Sequence, residues 1–354
     1  MFVFDAHLDL SLNALEYNRD LRQDIAHIRG SEAGMNDLAG RGAGTVCFPE
    51  MRKAGIGLCV ATQLAGCMKP AAPVGAWNSP AQAWAMTQGQ LAWYHAMEQD
   101  GQLRQITDVD GLKEHLSNWE RDAQNCPIGF ILSLEGADSI RTLSDLEASH
   151  AQGLRALGPA HYGIGRYALG HDCDGPLSAT GRELIAEMDR LDLILDATHL
   201  CEQTFWQVMD LYKGPIWASH HNCRTIVDDP RQLTDQQIKA LADRGGVMGV
   251  ALDVWMVAPN WVRLESTHPH PGATLEGLAD HVDHICQLIG TVKHIGIGTD
   301  LDGGFGTEQT PGDLDTIADI QKLFGILSKR GYSDDDLESI ASKNFIDFIV
   351  KAWS

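Results

Sequence analysis

Residues 1–10, Met-Phe-Val-Phe-Asp-Ala-His-Leu-Asp-Leu, join a short apolar run to an imidazole and a carboxylate. Side chains two positions apart in an extended segment point to the same side, so His7 and Asp9 can converge on one point. That arrangement suits metal coordination, although a His-x-Asp pair by itself is a weak signal that occurs by chance in many proteins. The pair gains weight from the residues that follow similar apolar runs further along the chain.

Apolar runs of this kind recur along the chain, and segments with helical periodicity lie between most of them. Eight runs are strand-like, at 2–5, 56–62, 128–134, 154–159, 193–197, 215–219, 246–252 and 294–298. The main helix candidates are 80–99, 138–152, 179–191, 202–212, 234–244 and 274–289. This alternation is typical of a parallel α/β architecture. Eight repeats favour a closed TIM-like (β/α)8 barrel, and the chain lacks the early G-x-G-x-x-G turn of the competing open, doubly wound sheet.

The chain, residues 1–354, is predicted to form a single domain, because no low-complexity tract or linker composition divides it. A long, glycine-rich insertion of mixed charge follows the first strand at about 11–50. A C-terminal helix is predicted at about 333–351, where a serine and three aspartates provide capping and first-turn signals. The loops at 11–50, 66–78 and 162–177 are expected to shape the mouth of a pocket.

Composition restricts the classes of partner. The chain has 27 lysines and arginines against 48 acidic residues, which gives a formal net charge of −21. This charge repels a phosphate backbone, so nucleic acid is not an expected partner. No apolar run approaches the ~18 residues that a membrane span needs, so no membrane anchor is expected.

The cysteines and the first residues bear on the cellular compartment. The eight cysteines are scattered without a Cys-x-x-Cys pair, in a chain too long to depend on disulfides, which favours a reduced interior. The first strand-like run starts almost at the first residue and leaves no room for the charged and apolar regions of a secretion leader. We therefore expect a cytoplasmic location.

Acidic and imidazole side chains follow six of the predicted strands. They are His7 and Asp9 after the first, Glu135 after the third, His161 after the fourth, His199 after the fifth, His220 after the sixth and Asp300 after the eighth. The carboxyl ends of barrel strands meet on one face, which carries the active site in such folds, so these groups should converge. Glu135 follows a fully apolar strand and must therefore find a cation or strong donors. Two imidazoles and two carboxylates, with Glu135 able to bridge, would suit a pair of Zn²⁺ ions.

Several histidines also have purely structural interpretations. His199 or His220, taken alone, could be a hydrogen-bonded core histidine. His221 alternates away from His220 in an extended segment. The run His-Asp-Cys-Asp at 171–174 imitates a metal-binding pattern, but a solvated loop is the favoured interpretation.

Seven ordered motifs span nearly the whole chain. They are Asp-Ala-His-Leu-Asp-Leu at 5–10, Leu-Glu-Gly-Ala at 134–137, Gly-Leu-Arg-Ala-Leu-Gly-Pro-Ala-His at 153–161, Gly-Pro-Leu-Ser-Ala-Thr-Gly-Arg-Glu-Leu at 175–184, Asp-Ala-Thr-His at 196–199, Ser-His-His-Asn-Cys-Arg at 219–224 and Gly-Ile-Gly-Thr-Asp-Leu-Asp-Gly at 296–303. With these motifs the chain resembles the renal, or membrane, dipeptidases, zinc peptidases built on the barrel of the amidohydrolase superfamily. Seven motifs in order at compatible spacing are a highly specific signal.

The resemblance implies two zinc ions per chain, bridged by Glu135 and a hydroxide. The implied ligands are His7, Asp9 and Glu135 for one ion, and Glu135, His199 and His220 for the other. It also implies that His161 steadies the oxyanion, Arg231 grips the terminal carboxylate of the substrate and Asp300 shuttles the proton. Asp302 competes with Asp300 for this role, and alternation cannot choose between them, because in an extended continuation both face the same way.

Two positions depart from the family pattern. Leu8 stands where the family usually has a small polar residue, and Thr198 stands where it usually has serine. The metal site should survive both changes. Substrate preference is less constrained, because the loops that build the pocket rim show little that matches.

The sequence therefore predicts a zinc-dependent dipeptidase that cleaves the amide bond of dipeptides by attack of a metal-bridging hydroxide and tolerates a D-residue at the carboxyl side. One alternative is a related amidohydrolase acting on another small amide or lactone, and a second is a non-catalytic metal-binding barrel. Arg231 distinguishes a dipeptidase from the first alternative, because a dipeptidase needs a cation for the free carboxylate of its substrate. A homodimer would be typical of the family.

Overall fold

The structure is a computed structural model that describes residues 1–67 and 74–354. Parallel strands form one sheet at its centre. Their bounds are β1 Val3–Leu8, β2 Ile56–Leu64, β3 Leu103–Gln105, β4 Ile128–Glu135, β5 Leu154–Gly158, β6 Ile194–Asp196, β7 Ile216–Trp217, β8 Met248–Val250 and β9 Ile295–Ile297.

Eight of these strands form the ring of a (β/α)8 barrel. Neighbouring strands are hydrogen-bonded in the order β7-β6-β5-β4-β2-β1-β9-β8, and each pairing is parallel. A parallel bridge between Ala218 and Met248 joins the two ends of this order and closes the ring. The short β3 lies outside the ring, against the first residues of β4. The predicted barrel is confirmed, and β3 is an addition to the predicted strands.

Helices lie between the strands and after the last one. Their bounds are α1 Leu10–Leu15, α2 Ile25–Ser31, α3 Phe48–Lys53, α4 Pro80–Gln99, α5 Val109–Arg121, α6 Leu143–Ala151, α7 Ala179–Arg190, α8 Glu202–Leu211, α9 Asp235–Asp243, α10 Val254–Val257, α11 Leu275–Ile289, α12 Gln321–Lys329, α13 Asp334–Glu338 and α14 Asn344–Ala352. Short 3-10 turns lie at Thr307–Gln309 and Ile317–Ile320, and a π-helical turn lies at Ser339–Lys343. Within the described ranges, no helix has both the length and the apolar character needed to span a membrane.

Capping residues explain where several helices begin and end. α4 begins at Pro80 after Ser79, whose hydroxyl accepts a hydrogen bond from the backbone N–H three residues further on. Thr274 caps α11 in the same way, and Gly290 ends that helix with a φ of 71°. These local signals explain why both helices are predicted within a residue of their observed bounds.

Other segments differ from the sequence prediction or extend it. The insertion at about 11–50 is partly helical, because it contains most of α1, all of α2 and the first half of α3. The C-terminal helix predicted at 333–351 is interrupted by the π-helical turn that separates α13 from α14. Of the loop predicted at 66–78, residues 68–73 lie outside the described residues.

An apolar cluster fills the inside of the barrel at the amino-terminal end of the strands. Phe4 of β1, Trp217 of β7 and Phe345 of α14 belong to it. The ring centroid of Phe345 lies 5.2 Å from that of Phe4 and 5.8 Å from that of Trp217. Gly296 of β9 makes room for Phe345, since a Cβ at this position would lie 2.6 Å from its ring. Burying one such side chain typically contributes ~1.5–3 kcal/mol, so this cluster holds the barrel together and leaves the opposite, carboxyl face for a site.

Candidate metal centre

The five side chains predicted as metal ligands meet at the carboxyl ends of the strands. His7 lies in β1, and Asp9 follows that strand. Glu135 ends β4, whereas His199 and His220 lie in the loops after β6 and β7. All five are buried, and their donor atoms form two groups within 4.8 Å. A third group of the same kind joins His7 and His220 to Asp300, which is predicted to shuttle the proton and not to bind metal. The two groups formed by the predicted ligands alone are His7, Asp9 and Glu135, and Glu135, His199 and His220. This grouping agrees with the predicted ligand sets, whose roles stay predictions.

Glu135 lies at the centre of this donor cluster. Its Oε1 is 3.0 Å from Nε2 of His199 and 3.4 Å from Nε2 of His220. Its Oε2 is 3.6 Å from Nε2 of His7, which in turn is 3.7 Å from Oδ2 of Asp9. The two oxygens of one carboxylate therefore face two separate sets of donors, as a bridge between two cations requires.

Unpartnered atoms in the donor cluster show that these residues fit bound cations. Nε2 of His7 and Oδ1 of Asp9 are buried and have no hydrogen-bond partner among the described residues. Nε2 of His199 and Nε2 of His220 lie 3.1 Å apart, and neutral imidazole nitrogens are common zinc ligands. Buried polar atoms without partners are costly, and a divalent cation would satisfy all of these donors.

Burial and charge set the ionisation of the cluster. Burial lowers the pKa of His199 and of His220 well below the usual range, which keeps both imidazoles in the neutral form that binds metals. Burial raises the pKa of Glu135 to about 8. Burial also opposes the charged form of His7, but the neighbouring carboxylates, led by Glu135, outweigh it and raise the pKa of His7 to about 10. A bound cation would favour an ionised Glu135 and a neutral His7.

Two buried aspartates that lie behind the donor cluster hold the strand ends in place. Asp5 accepts hydrogen bonds from Oγ1 of Thr299 at 2.6 Å and from the backbone N–H of His7 at 3.2 Å, which ties β1 to the segment after β9. Asp196 of β6 accepts a hydrogen bond from the backbone N–H of Ser219 at 3.0 Å, which ties β6 to the end of β7. These contacts fix the backbone that carries the predicted ligands.

The structure separates Asp300 from Asp302. Asp300 lines the pocket with its Oδ1 3.8 Å from Nε2 of His7, and burial raises its pKa well above the usual range. Asp302 accepts a hydrogen bond from the backbone N–H of Thr45 at 2.8 Å and pairs with Arg19 at 3.3 Å. The extended alternation assumed in the sequence prediction does not apply, because Asp300 has a φ of 61° and turns the chain. Asp300 therefore faces the donor cluster and the cavity, whereas Asp302 holds the insertion.

His161 and Arg231 lie on the pocket wall beside the donor cluster. The ring centroid of His161 is 4.7 Å from that of His199, and burial lowers the pKa of His161 to about 4, which keeps it neutral. Arg231 is 1% exposed, donates a hydrogen bond to the carbonyl of His220 at 2.9 Å and lies 3.1 Å from Nδ1 of His221. Within the part of the chain that the structure describes, Arg231 forms no ion pair with a carboxylate, so its charge is available to an anionic ligand.

The sequence prediction missed two side chains at this site. His171 is 7% exposed, and its Nδ1 lies 3.2 Å from Nδ1 of His199. The solvated-loop interpretation is therefore wrong for His171, and no local signal shows the contact because 28 residues separate the two histidines. Asp253 follows β8, lines the pocket and accepts a hydrogen bond from Nε1 of Trp255 at 2.6 Å, and burial raises its pKa to about 7. The candidate site residues are acidic or imidazole side chains that follow predicted strands. Asp253 follows the strand predicted at 246–252, so the same signal identifies it.

A cavity of about 420 Å³ opens over the donor cluster, a size typical of small-molecule sites. The predicted site residues that line it are Asp9, Glu135, His161, His199, His220, Arg231 and Asp300. Aliphatic side chains form one part of its wall, and mixed aromatic, apolar and charged side chains form another. These are Leu12, Leu38, Leu64 and Val74 in the first part, and Asp253, Trp255, Met256, Arg263 and Leu264 in the second.

Comparison with known proteins identifies related sequences. A model of the membrane dipeptidase family, peptidase family M19, matches residues 1–352. An uncharacterised protein of the pqqA 5′ region of Klebsiella pneumoniae is 28% identical over 243 residues, which cover 66% of this chain and 86% of that protein. An uncharacterised dipeptidase of Schizosaccharomyces pombe is 30% identical over 208 residues, which cover 54% of this chain and 47% of that protein. The match thus spans about half the length of the yeast relative.

Comparison with solved structures identifies the same barrel. A metallopeptidase from Rhodobacter sphaeroides, liganded with a phosphinate mimic of the dipeptide L-Ala-D-Ala, superposes with a TM-score of 0.78. The superposition covers 100% of this chain and 99% of that chain, at 21% sequence identity. At this identity the likeness establishes the fold.

Proposed function

The chain belongs to the membrane dipeptidase family, and we propose that it hydrolyses the amide bond of dipeptides with two zinc ions bound at the donor cluster. The observation that carries this proposal is the position of Glu135, whose two oxygens face His199 at 3.0 Å and His7 at 3.6 Å. A carboxylate shared between two sets of imidazole and carboxylate donors suits a binuclear hydrolytic centre.

The residues around the donor cluster divide the chemistry among them. Bound metal ions would acidify a water molecule to a nucleophile at neutral pH and polarise the scissile carbonyl. His161, neutral and beside the cluster, donates a hydrogen bond to the carbonyl oxygen as negative charge develops on it. Asp300, within 3.8 Å of His7, accepts the proton of the attacking water and delivers it to the leaving nitrogen.

Arg231 selects substrates with a free carboxylate. Its guanidinium is held by the carbonyl of His220 and by His221, so it is oriented before the substrate binds. A planar guanidinium can form two parallel hydrogen bonds with a carboxylate, which gives direction as well as affinity. The carboxyl-terminal residue of the dipeptide therefore lies on the Arg231 side of the donor cluster.

The stereochemistry of the substrate is a further part of the proposal. The Rhodobacter sphaeroides metallopeptidase is liganded with a mimic of L-Ala-D-Ala, and we propose that this chain likewise tolerates a D-residue at the carboxyl side. Zinc as the native metal, a cytoplasmic location, a homodimer and the exclusion of nucleic acid and membrane partners stay predictions of the sequence.

Replacing Arg231 tests the proposed activity against the alternative of another small amide or lactone. Arg231→Ala is expected to raise KM for L-Ala-D-Ala by on the order of 10²-fold, because a charge-assisted hydrogen-bonded pair contributes about 1.5–3 kcal/mol. The variant should act on the C-terminal amide of the same dipeptide as the wild type does. Steady-state kinetics on both compounds, with metal content measured in parallel, check this expectation.

Arg104→Ala provides the matched control, because Arg104 lies in β3, outside the ring, and its guanidinium pairs with the exposed Glu114 at 2.8 Å. It should leave both KM values unchanged. An unchanged KM for the free dipeptide in Arg231→Ala would contradict carboxylate recognition and favour the related amidohydrolase.

A further inference from the structure

The active-site cavity has two unlike ends on opposite sides of the donor cluster. β2 and β7 lie four strands apart in the closed ring of eight, so their carboxyl ends face each other across the barrel. Leu64 ends β2, whereas Arg231 lies in the segment after β7. In the ring β4 and β1 flank β2, whereas β6 lies beside β7, so the donors contributed by these strands meet between the two ends.

The end opposite Arg231 is aliphatic. We call it the aliphatic end, and it consists of Leu12, Leu38, Leu64 and Val74, which pack together with Tyr17. Tyr17 is fixed by the guanidinium of Arg19, 4.6 Å from its ring centroid. None of the described residues of this cluster is charged. Asp9, which lies three residues before Leu12 and also lines the cavity, faces the donor cluster.

The aliphatic end is held in shape by its own packing. Leu12 and Leu64 are 2% and 6% exposed, so neither can turn outward to make way for a polar group. Gly75 adopts a φ of 68°, and a Cβ there would lie 3.1 Å from Leu64. The backbone N–H of Gly75 donates a hydrogen bond to Glu16 at 2.7 Å. The wall is therefore formed before a ligand arrives.

The direction of the bound substrate follows from the proposed function, on which this inference rests. With the carboxylate on Arg231 and the scissile amide at the donor cluster, the amino-terminal residue lies beyond the cluster, at the aliphatic end. We infer that the side chain of this residue packs against Leu12, Leu38, Leu64 and Val74, and that the protein prefers dipeptides with a large aliphatic amino-terminal residue. Glu16, which accepts the hydrogen bond from Gly75, does not line the cavity. A charged side chain at this position would therefore lose its hydration, and none of the described residues that line this end offers it a charged partner.

A panel of dipeptides that differ only in the amino-terminal residue tests the preference. kcat/KM for Leu-Ala is expected to exceed that for Ala-Ala by at least about 10-fold, since even one methylene in a hydrophobic pocket is worth roughly 10-fold. Lys-Ala and Glu-Ala are expected to fall below Ala-Ala. Equal values for Leu-Ala and Lys-Ala in the wild type would overturn the inference while leaving the proposed activity intact.

A charge introduced at the aliphatic end should move the preference. Leu38 is only partly buried, so Leu38→Asp should fold, and it is expected to lower the Leu-Ala to Lys-Ala ratio of kcat/KM by at least about 10-fold. Leu211→Asp is the control, because Leu211 ends α8, is 42% exposed and should leave the ratio unchanged. An unchanged ratio in Leu38→Asp, with normal metal content, would overturn the inference. No turnover of any dipeptide by the wild type would overturn the proposed function and this inference with it.

Discussion

Glu135→Gln is expected to lose most of its bound metal and to abolish turnover. The amide keeps the shape of the side chain but not its charge, and its nitrogen cannot replace the second oxygen that faces the donors. Oε1 is 3.0 Å from His199 and Oε2 is 3.6 Å from His7, so either orientation of the amide disrupts one donor set. Metal ions supply several kcal/mol of transition-state stabilisation, so the loss in kcat should be on the order of 10³-fold or more.

Elemental analysis of dialysed protein measures this effect directly. Glu50→Gln is the matched control, because Glu50 is a buried glutamate that binds Thr316 at 2.8 Å outside the site, and its substitution should leave the metal content unchanged. Glu135→Gln should also show no increase in thermal stability when zinc is added, whereas the wild type should, because a ligand stabilises only the state that binds it. A Glu135→Gln protein with full metal content and activity would rule out the bridge.

Asp300→Asn is expected to lower kcat by ~10²–10⁴-fold while leaving metal content and folding near normal. The asparagine cannot accept the proton of the attacking water or deliver one to the leaving nitrogen. The comparison of kcat with metal content is decisive, because Oδ1 of Asp300 lies 3.8 Å from Nε2 of His7 and could serve as a ligand instead. Loss of metal in this variant, or wild-type kcat, would show that the assignment is wrong.

Asp302→Asn serves as the contrasting variant. Asp302 is buried and pairs with Arg19, and its oxygens accept hydrogen bonds from the backbone of Thr45 and Val46. Breaking one side of a buried ion pair typically costs about 3–5 kcal/mol, so this change should lower the free energy of unfolding rather than kcat of the folded protein. Urea denaturation, which measures the free energy of unfolding, and steady-state kinetics, which measure kcat, together distinguish the roles of Asp300 and Asp302.

The architecture and the positions of the predicted ligands follow from the sequence for one physical reason. In parallel barrels the carboxyl ends of the strands lie on one face, so an acidic or imidazole residue after an apolar run falls at that face. Glu135 and His199 illustrate this, because each is placed by the strand that precedes it. Asp253 meets the same criterion, and the prediction overlooked it although the signal is present.

Other features depend on contacts that no local pattern encodes. His171 packs against His199 only because two loops of the barrel face meet, and a polar run gives no sign of that burial. Asp300 and Asp302 differ because the backbone turns at Asp300 with a positive φ, which the extended pattern of the preceding strand does not indicate. The role of Asp302 in holding the insertion likewise depends on Arg19, which lies 283 residues away.

Helix α5 is absent from the predicted helices, although the sequence carries a helical pattern and a capping residue for it. Leu112, Leu116 and Trp119 follow helical spacing, and Asp108 caps the helix by accepting a hydrogen bond from Gly111 at 2.7 Å. The short β3 before it has three residues and pairs with only one strand, β4, so tertiary pairing rather than composition defines it. The sequence pattern was therefore sufficient to predict α5, whereas β3 is defined by its pairing with β4.

Anomalous diffraction at the zinc absorption edge, from crystals grown with zinc, tests the central claim most directly. The account predicts two peaks per chain that share Glu135 as a ligand. One peak should contact His7, Asp9 and Glu135, and the other should contact Glu135, His199 and His220. A single peak away from Glu135, or no peak at the donor cluster, would contradict the binuclear site and the hydrolytic mechanism proposed from it.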